Sequence, residues 1–225
     1  MPTLDLRRED SVFVLTMANT EQGNMVNAEI VEEFHAVLDE VEGTAGNAAL
    51  VLTSSHPKIW NSGMDLAWIT SQPTEYHERF ASLLDRFLLR WALLNIPTVG
   101  CITGHAFGAG ALLATTLDFR LMREDRGWIR FPAIDIKLTF TPVMHSILDL
   151  LPNRQALRDL LLTGKRIGGT EAEGLNIVDE SCPVERLFSR AMELAEMLAA
   201  KDRQTYTTIK HGMRQDLVRL GNEVL

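Results

Sequence analysis

Cysteine is nearly absent. Cys101 and Cys182 are the only two in 225 residues, too few for a disulfide framework, and no Cys/His cluster has the spacing of zinc ligands. The expected setting is a reducing cytoplasm, with no metal. Positive charge is also short. Lys and Arg number 22 against 30 Asp and Glu, a formal net charge of −8, which argues against a nucleic acid or an anionic membrane as partner. Residues 1–10 contain no basic segment followed by an apolar stretch, so no signal peptide is expected.

Charge of either sign is missing from Trp91 to Leu117, a run long enough to suggest a membrane span. Asn95, Pro97, Thr98, His105 and four glycines interrupt it. A buried strand at 98–103, a glycine turn and an apolar helix account for the same residues without leaving backbone groups unpaired in lipid. No membrane association is expected.

What is present is a globular pattern. With 46% hydrophobic and 23% charged residues, the chain can bury a sizeable core. Residues 4–7 and 11–17 predict a β-hairpin turning at Arg8, Glu9 and Asp10. Residues 27–42 predict an amphipathic helix with Ile30, Phe34, Val37, Leu38 and Val41 on one face. Further strands are expected at 48–54, 98–103 and 118–122, and helices at 74–94, 156–163 and 184–200. Pro97 stops the first of these helices and Pro183 precedes the last. The alternation favours a sheet built from βαβ crossovers. Residues 1–180 are read as the core and 181–225 as a C-terminal helical region, whose segment 202–225 is expected to be a separate helix suited to packing on a neighbouring subunit.

Two glycine turns carry the chemistry. Asn61-Ser62-Gly63-Met64-Asp65-Leu66 and Gly104-His105-Ala106-Phe107-Gly108-Ala109-Gly110 each end an apolar run and open a predicted helix. Such turns direct free backbone N–H groups into a cleft. Two that converge at positive helix ends stabilise the oxyanion formed when a thioester carbonyl is enolised or attacked. Acyl chemistry is the implied class.

Several segments recur in one order and spacing: Asn24-Met25-Val26-Asn27, the first glycine turn, Ile96-Pro97-Thr98-Val99 before the second, Asp118-Phe119-Arg120, and residues 162–167 and 172–179. Together they resemble the crotonase superfamily, also called the enoyl-CoA hydratase/isomerase family, over nearly the whole chain. Residues 65–68 and 121–128 are similar to enoyl-CoA isomerases of plants and some bacteria, which move a double bond from the 3- to the 2-position of an acyl-CoA. The resemblance implies an α/β spiral of ββα units with C-terminal helices, assembled as a homotrimer or a dimer of trimers. It implies an acyl-CoA thioester as ligand and no cofactor beyond the coenzyme A that the substrate carries. Carried over, the oxyanion donors are the N–H groups of Met64 and Ala109. Met25, Val26, Lys58, Ile59, Trp60 and Ser62 are expected along the coenzyme A moiety, and Trp68, Phe107, Trp128 and Leu138 around the acyl group.

Departures from the pattern bear on the reaction. The family's acid positions fall here on Leu112, Ala133 and Thr141, all neutral. Two-carboxylate hydration is disfavoured, because one group must activate water while another protonates the α-carbon. Asp135, two residues past Ala133, is the remaining candidate proton shuttle, against a solvated role beside Lys137. Asp65 is read as a helix cap. Ser62 lacks the Gly-x-Ser-x-Gly frame of a nucleophile. His105 faces either ligand or core, the core being favoured, and the stripe Leu83, Phe87, Leu88, Trp91 and Leu94 is read as packing. The leading function is a double-bond shift through an oxyanion-stabilised enolate. The alternatives are a non-catalytic acyl-CoA binder and a thioester hydrolase.

Overall fold

In the computed structural model, which describes residues 3–224, the chain opens with the antiparallel hairpin of β1 (Leu4–Glu9) and β2 (Val12–Met17). Helix α1 (Ala28–Gly43) follows, its first turn capped by Asn27, whose side chain accepts from the Ile30 N–H. The chain then winds three times in the same manner. The first turn is β3 (Ala49–Ser54) and β4 (Ile59–Asn61), followed by α2 (Leu66–Ser71) and α3 (Thr74–Ala92). The second is β5 (Thr98–Ile102), β6 (His105–Phe107) and α4 (Ala109–Thr116), and the third is β7 (Phe119–Arg123), β8 (Ile129–Arg130) and α5 (Pro142–Leu148). Each turn places one strand in a large sheet, ordered β1-β2-β3-β5-β7-β9 with β9 at Glu180–Cys182, and the next in a small one, ordered β4-β6-β8. Beyond the hairpin the pairings are parallel. This is the expected spiral of ββα units.

The remainder comprises α6 (Arg154–Thr163), α7 (Gly169–Gly174), β9 (Glu180–Cys182), α8 (Val184–Ala199), α9 (Arg203–Met213) and α10 (Gln215–Val224). The sheet is apolar on both faces because both are covered. Phe13, Leu15, Leu50 and Leu52 pack into the larger core with α1 and α3, while Val12, Val14, Ala49 and Val51 point to the other side, where Leu187, Ala191 and Ala195 of α8 cover them. Period-two alternation along β2 and β3 sorts the two sets. A tilted Phe34–Phe87 pair and an edge-on Phe34–Trp91 pair, with centroids 5.2 and 5.8 Å apart, tie α1 to α3.

The expectation of one helix over 202–225 is corrected: the chain breaks at Arg214, whose φ is −114° and ψ 35°, into α9 and α10. Both pack on their own chain. Leu217 of α10 is buried in the larger core, and α9 is held by Asp118, which accepts from Lys210 Nζ and Arg214 Nη2, each at 2.9 Å. The boundary drawn at 180/181 falls inside β9, a strand of the main sheet. Among the described residues, no helix is long and apolar enough to cross a membrane.

Candidate active site

The two glycine turns meet. In the first, the Gly63 N–H donates to Asn61 Oδ1 at 2.8 Å and the Asn61 amide donates to the Asn24 carbonyl at 2.7 Å. Val26 donates to the Gly63 carbonyl and accepts from the Asp65 N–H, so the turn is clamped from both sides. Asp65 then caps α2, accepting from the Trp68 N–H at 2.9 Å, as expected. Gly63 has φ +92°, and a Cβ there would stand 2.6 Å from the Phe107 carbonyl and 3.2 Å from the Ala109 nitrogen. Only glycine permits both that conformation and that approach. Gly110 is constrained by close approach alone, since a Cβ on it would lie 2.4 Å from the Asn61 carbonyl.

The consequence is electrostatic. Ala109 is the first residue of α4, a fully buried helix, so its N–H is one of those that no carbonyl of its own helix can accept. The Met64 N–H follows the Gly63 turn. Among the described residues neither N–H has an acceptor. Met64 and Ala109 both face an apolar cavity of about 70 Å³. Its walls come from Leu84 of α3, Leu112 of α4 and Met144 of α5, and from Phe131, Ala133, Leu138 and Phe140 on the segment between β8 and α5. No lining side chain is ionisable.

Of the four residues expected around an acyl group, only Leu138 lines this cavity. Phe107 stands outside it because Ala106 is the inward residue of β6. Its neighbours His105 and Phe107 therefore share the opposite face, where their rings stack at 5.1 Å. Trp128, just before the buried Ile129, joins them. Its ring lies 4.8 Å from His105 and under the Arg166 guanidinium. His105 is thus part-buried and outside the core; its Nδ1 accepts from the Trp128 N–H at 3.2 Å. Burial, with Arg166 and Arg126 nearby, lowers its pKa. Trp68 packs instead on Tyr76 and Phe80.

Asp135, the expected shuttle, does not line this cavity. Pro132–Ile134 forms a 3₁₀ turn, which puts Ala133 and Ile136 on the cavity side and carries Asp135 away from it. There it pairs with Arg130 at 2.8 Å, its side chain about half exposed at 48%. Among residues expected along coenzyme A, Trp60 and Val26 are wholly buried. Ser62, which donates through its N–H to the Gly23 carbonyl, and Ile59 gather around Gly23. Met25 sits two residues further on, and exposed Lys58 accepts from the His105 N–H.

One group escaped the sequence reading. Asp85 of α3 is half-buried and accepts from the Thr141 hydroxyl at 2.6 Å. Burial raises its pKa, and the Thr141 hydrogen bond opposes the rise. A lone carboxylate interrupting an apolar helical stripe, between Leu84 and Phe87, was the available signal.

A family model described as enoyl-CoA hydratase/isomerase matches residues 7–225. The chain is similar to enoyl-CoA delta isomerase 3 of Arabidopsis thaliana, 27% identical over 223 residues, with 96% of this chain and 93% of that protein covered. Enoyl-CoA delta isomerase 2, peroxisomal, of the same plant is 28% identical over 222 residues, covering 94% and 92%. A solved enoyl-CoA hydratase/isomerase family protein from Pseudomonas syringae superposes with a TM-score of 0.90 at 20% identity, covering 99% of this chain and 94% of that one. That likeness shows the fold.

Proposed function

The chain belongs to the enoyl-CoA hydratase/isomerase family, and from that premise we propose that it binds an acyl-CoA thioester and shifts a double bond from the 3- to the 2-position. The observation that carries this is that Met64 and Ala109, whose backbone N–H groups have no acceptor among the described residues, both line one apolar cavity. The thioester oxygen accepts from both, with the N-terminus of α4 behind it. When the C2–H bond breaks, its electron pair passes onto that oxygen, where fixed donors stabilise charge far better than mobile water does. The apolar walls take the hydrocarbon part of the acyl group. Two relatives named enoyl-CoA delta isomerases support an isomerisation of the acyl-CoA.

A second reading rests on a different observation. No side chain lining the cavity is ionisable, which favours a protein that binds acyl-CoA without turning it over. Incubation with 2-enoyl, 3-enoyl and saturated acyl-CoAs, followed by mass and ultraviolet absorbance, separates the readings. Isomerisation keeps mass and creates conjugation; hydration adds water; hydrolysis releases coenzyme A; a binder changes none.

Ala109→Pro tests the donor pair. Proline fits the first position of a helix while deleting the N–H. Turnover is expected to fall on the order of 10²–10³-fold, as when one oxyanion donor is lost. A folded Ala109→Pro protein with undiminished turnover would remove this N–H from the mechanism.

A further inference from the structure

Moving a double bond from C3 to C2 requires a proton to leave C2 and one to arrive at C4, and a positioned side chain must carry it. The cavity walls offer none. Neither Asp85 nor Thr141 lines the cavity, but each is next in sequence to a residue that does, and the two are hydrogen-bonded to one another. Asp85 follows Leu84, which lines the cavity, and Thr141 follows Phe140, which also lines it. Thr141 caps α5 by accepting from the N–H of Met144, a third lining residue, at 3.2 Å. Its hydroxyl donates to Asp85 Oδ1 at 2.6 Å, across 56 residues of sequence.

The hydrogen-bond inventory of Thr141 is instructive. A hydroxyl has one proton and two lone pairs. The proton is committed to Asp85 and one lone pair to Met144. One lone pair remains. Asp85 itself forms no ion pair among the described residues, unlike Asp135 with Arg130 or Asp118 with Lys210. No charged neighbour contributes to its raised pKa, which comes from burial. It is therefore a part-buried carboxylate that bonds the Thr141 hydroxyl and no cation among the described residues.

Resting on the double-bond shift proposed above, we infer that Asp85 and Thr141 form the proton-holding pair of the acyl cavity, with Thr141 meeting the substrate and Asp85 acting through it. In the forward step the C2–H bond breaks and its electron pair passes into the oxyanion held by Met64 and Ala109. The proton goes to Thr141 Oγ1 as the hydroxyl proton passes to Asp85 Oδ1. In the return step Asp85 gives its proton back to Thr141 Oγ1, which delivers one to C4. The enolate pair makes the C2–C3 double bond, and the former C3–C4 double-bond pair makes the new C4–H bond. No other reactant is consumed.

Four variants of the full chain test this: Asp85→Asn, Asp85→Glu, Thr141→Val and Thr141→Ser, assayed on a 3-enoyl-CoA across pH. Asp85→Asn is expected to lower kcat by about 10²–10⁴-fold, the range for loss of a general acid–base group, with KM nearly unchanged. It is also expected to abolish the acidic limb of the kcat profile, whereas Asp85→Glu keeps that limb and shifts it. Thr141→Val falls like Asp85→Asn, and Thr141→Ser recovers most of what valine loses. A purely structural tie between α3 and α5 would lower thermal stability and leave the pH profile in place, and that result overturns the inference. So does unchanged kcat in either Asp85→Asn or Thr141→Val. If the wild-type chain turns over no acyl-CoA, the double-bond shift itself fails, and the pair is then judged by titrating ¹³C-labelled Asp85. Adding saturated butanoyl-CoA is expected to raise its midpoint, because the acyl group excludes water from the carboxylate. An unmoved midpoint overturns the pairing.

Discussion

Among the described residues Asp118 is the most heavily bonded carboxylate, and replacing it by asparagine should be severe. Its side chain is 7% exposed and accepts from Lys210 Nζ and Arg214 Nη2, each at 2.9 Å. It also accepts from the Thr98 N–H at 2.9 Å and the Tyr206 hydroxyl at 3.2 Å. Through these bonds the loop between α4 and β7 holds α9 against the body. Asparagine keeps the shape and one acceptor but removes the charge, leaving two buried cations without a counter-ion. Breaking a buried pair by removing one partner costs about 3–5 kcal/mol. For a chain of this size each kcal/mol moves Tm by roughly 2–4 °C, so the expected fall is about 6–20 °C. A thermal melt followed by circular dichroism at pH 7 reads it directly. Adding Lys210→Met should return part of the loss, since it removes one of the stranded charges. A fall of less than about 3 °C, or a double variant weaker than Asp118→Asn alone, would refute the view that Asp118 neutralises this cluster.

Lys210 gives a pH signature. Burial lowers its pKa from 10.5 to about 8, against the pull of Asp118. The unfolded chain therefore binds more protons than the folded one between about pH 8 and 10.5, and stability contributed by this group rises with pH across that window. Compared with Lys210→Met, the wild type should gain on the order of 3 kcal/mol from pH 8 to 10.5 in urea titrations; a constant difference would show that Lys210 is not so perturbed. A separate expectation concerns assembly. Ile209 and Met213, one helical turn apart on α9, are 59% and 81% exposed, and such apolar surface is suited to cover by symmetry-related copies. Light scattering is expected to give a trimer or hexamer, and Met213→Asp to shift it toward monomer; a stable wild-type monomer at micromolar concentration ends the claim.

The elements were legible wherever one local period dominated. The all-buried strand Ala49–Ser54 and the striped helices α1 and α3 lie where apolar spacing put them, because a sheet covered on both faces and a helix covered on one leave different marks on the chain. The 202–225 segment misled because its polar–apolar rhythm continues through Arg214. The break there is tied to tertiary contacts: the Arg214 guanidinium is drawn to Asp118 and to the carbonyls of Ala92 and Thr116.

At the site the division is sharper. The glycine turns could be read directly, since a backbone at φ +92° and an approach of 2.6 Å to the Phe107 carbonyl exclude other residues at Gly63. Asp65 as a cap was equally local. Aromatic residues near those turns were not readable, because which side of a strand faces the cavity depends on what packs against it. Ala106 took the inner side of β6 and sent Phe107 to join His105 and Trp128. Asp135 was drawn off by Arg130, five residues away in sequence but brought alongside by the 3₁₀ turn. The Asp85–Thr141 bond joins α3 to the cap of α5 across 56 residues. Local sequence thus determined the strands, the helices and the turns, whose energetics involve neighbours a few residues apart. Only the packed spiral decided which side chains meet, because side-chain direction and the charge of a buried carboxylate depend on partners that are distant along the chain.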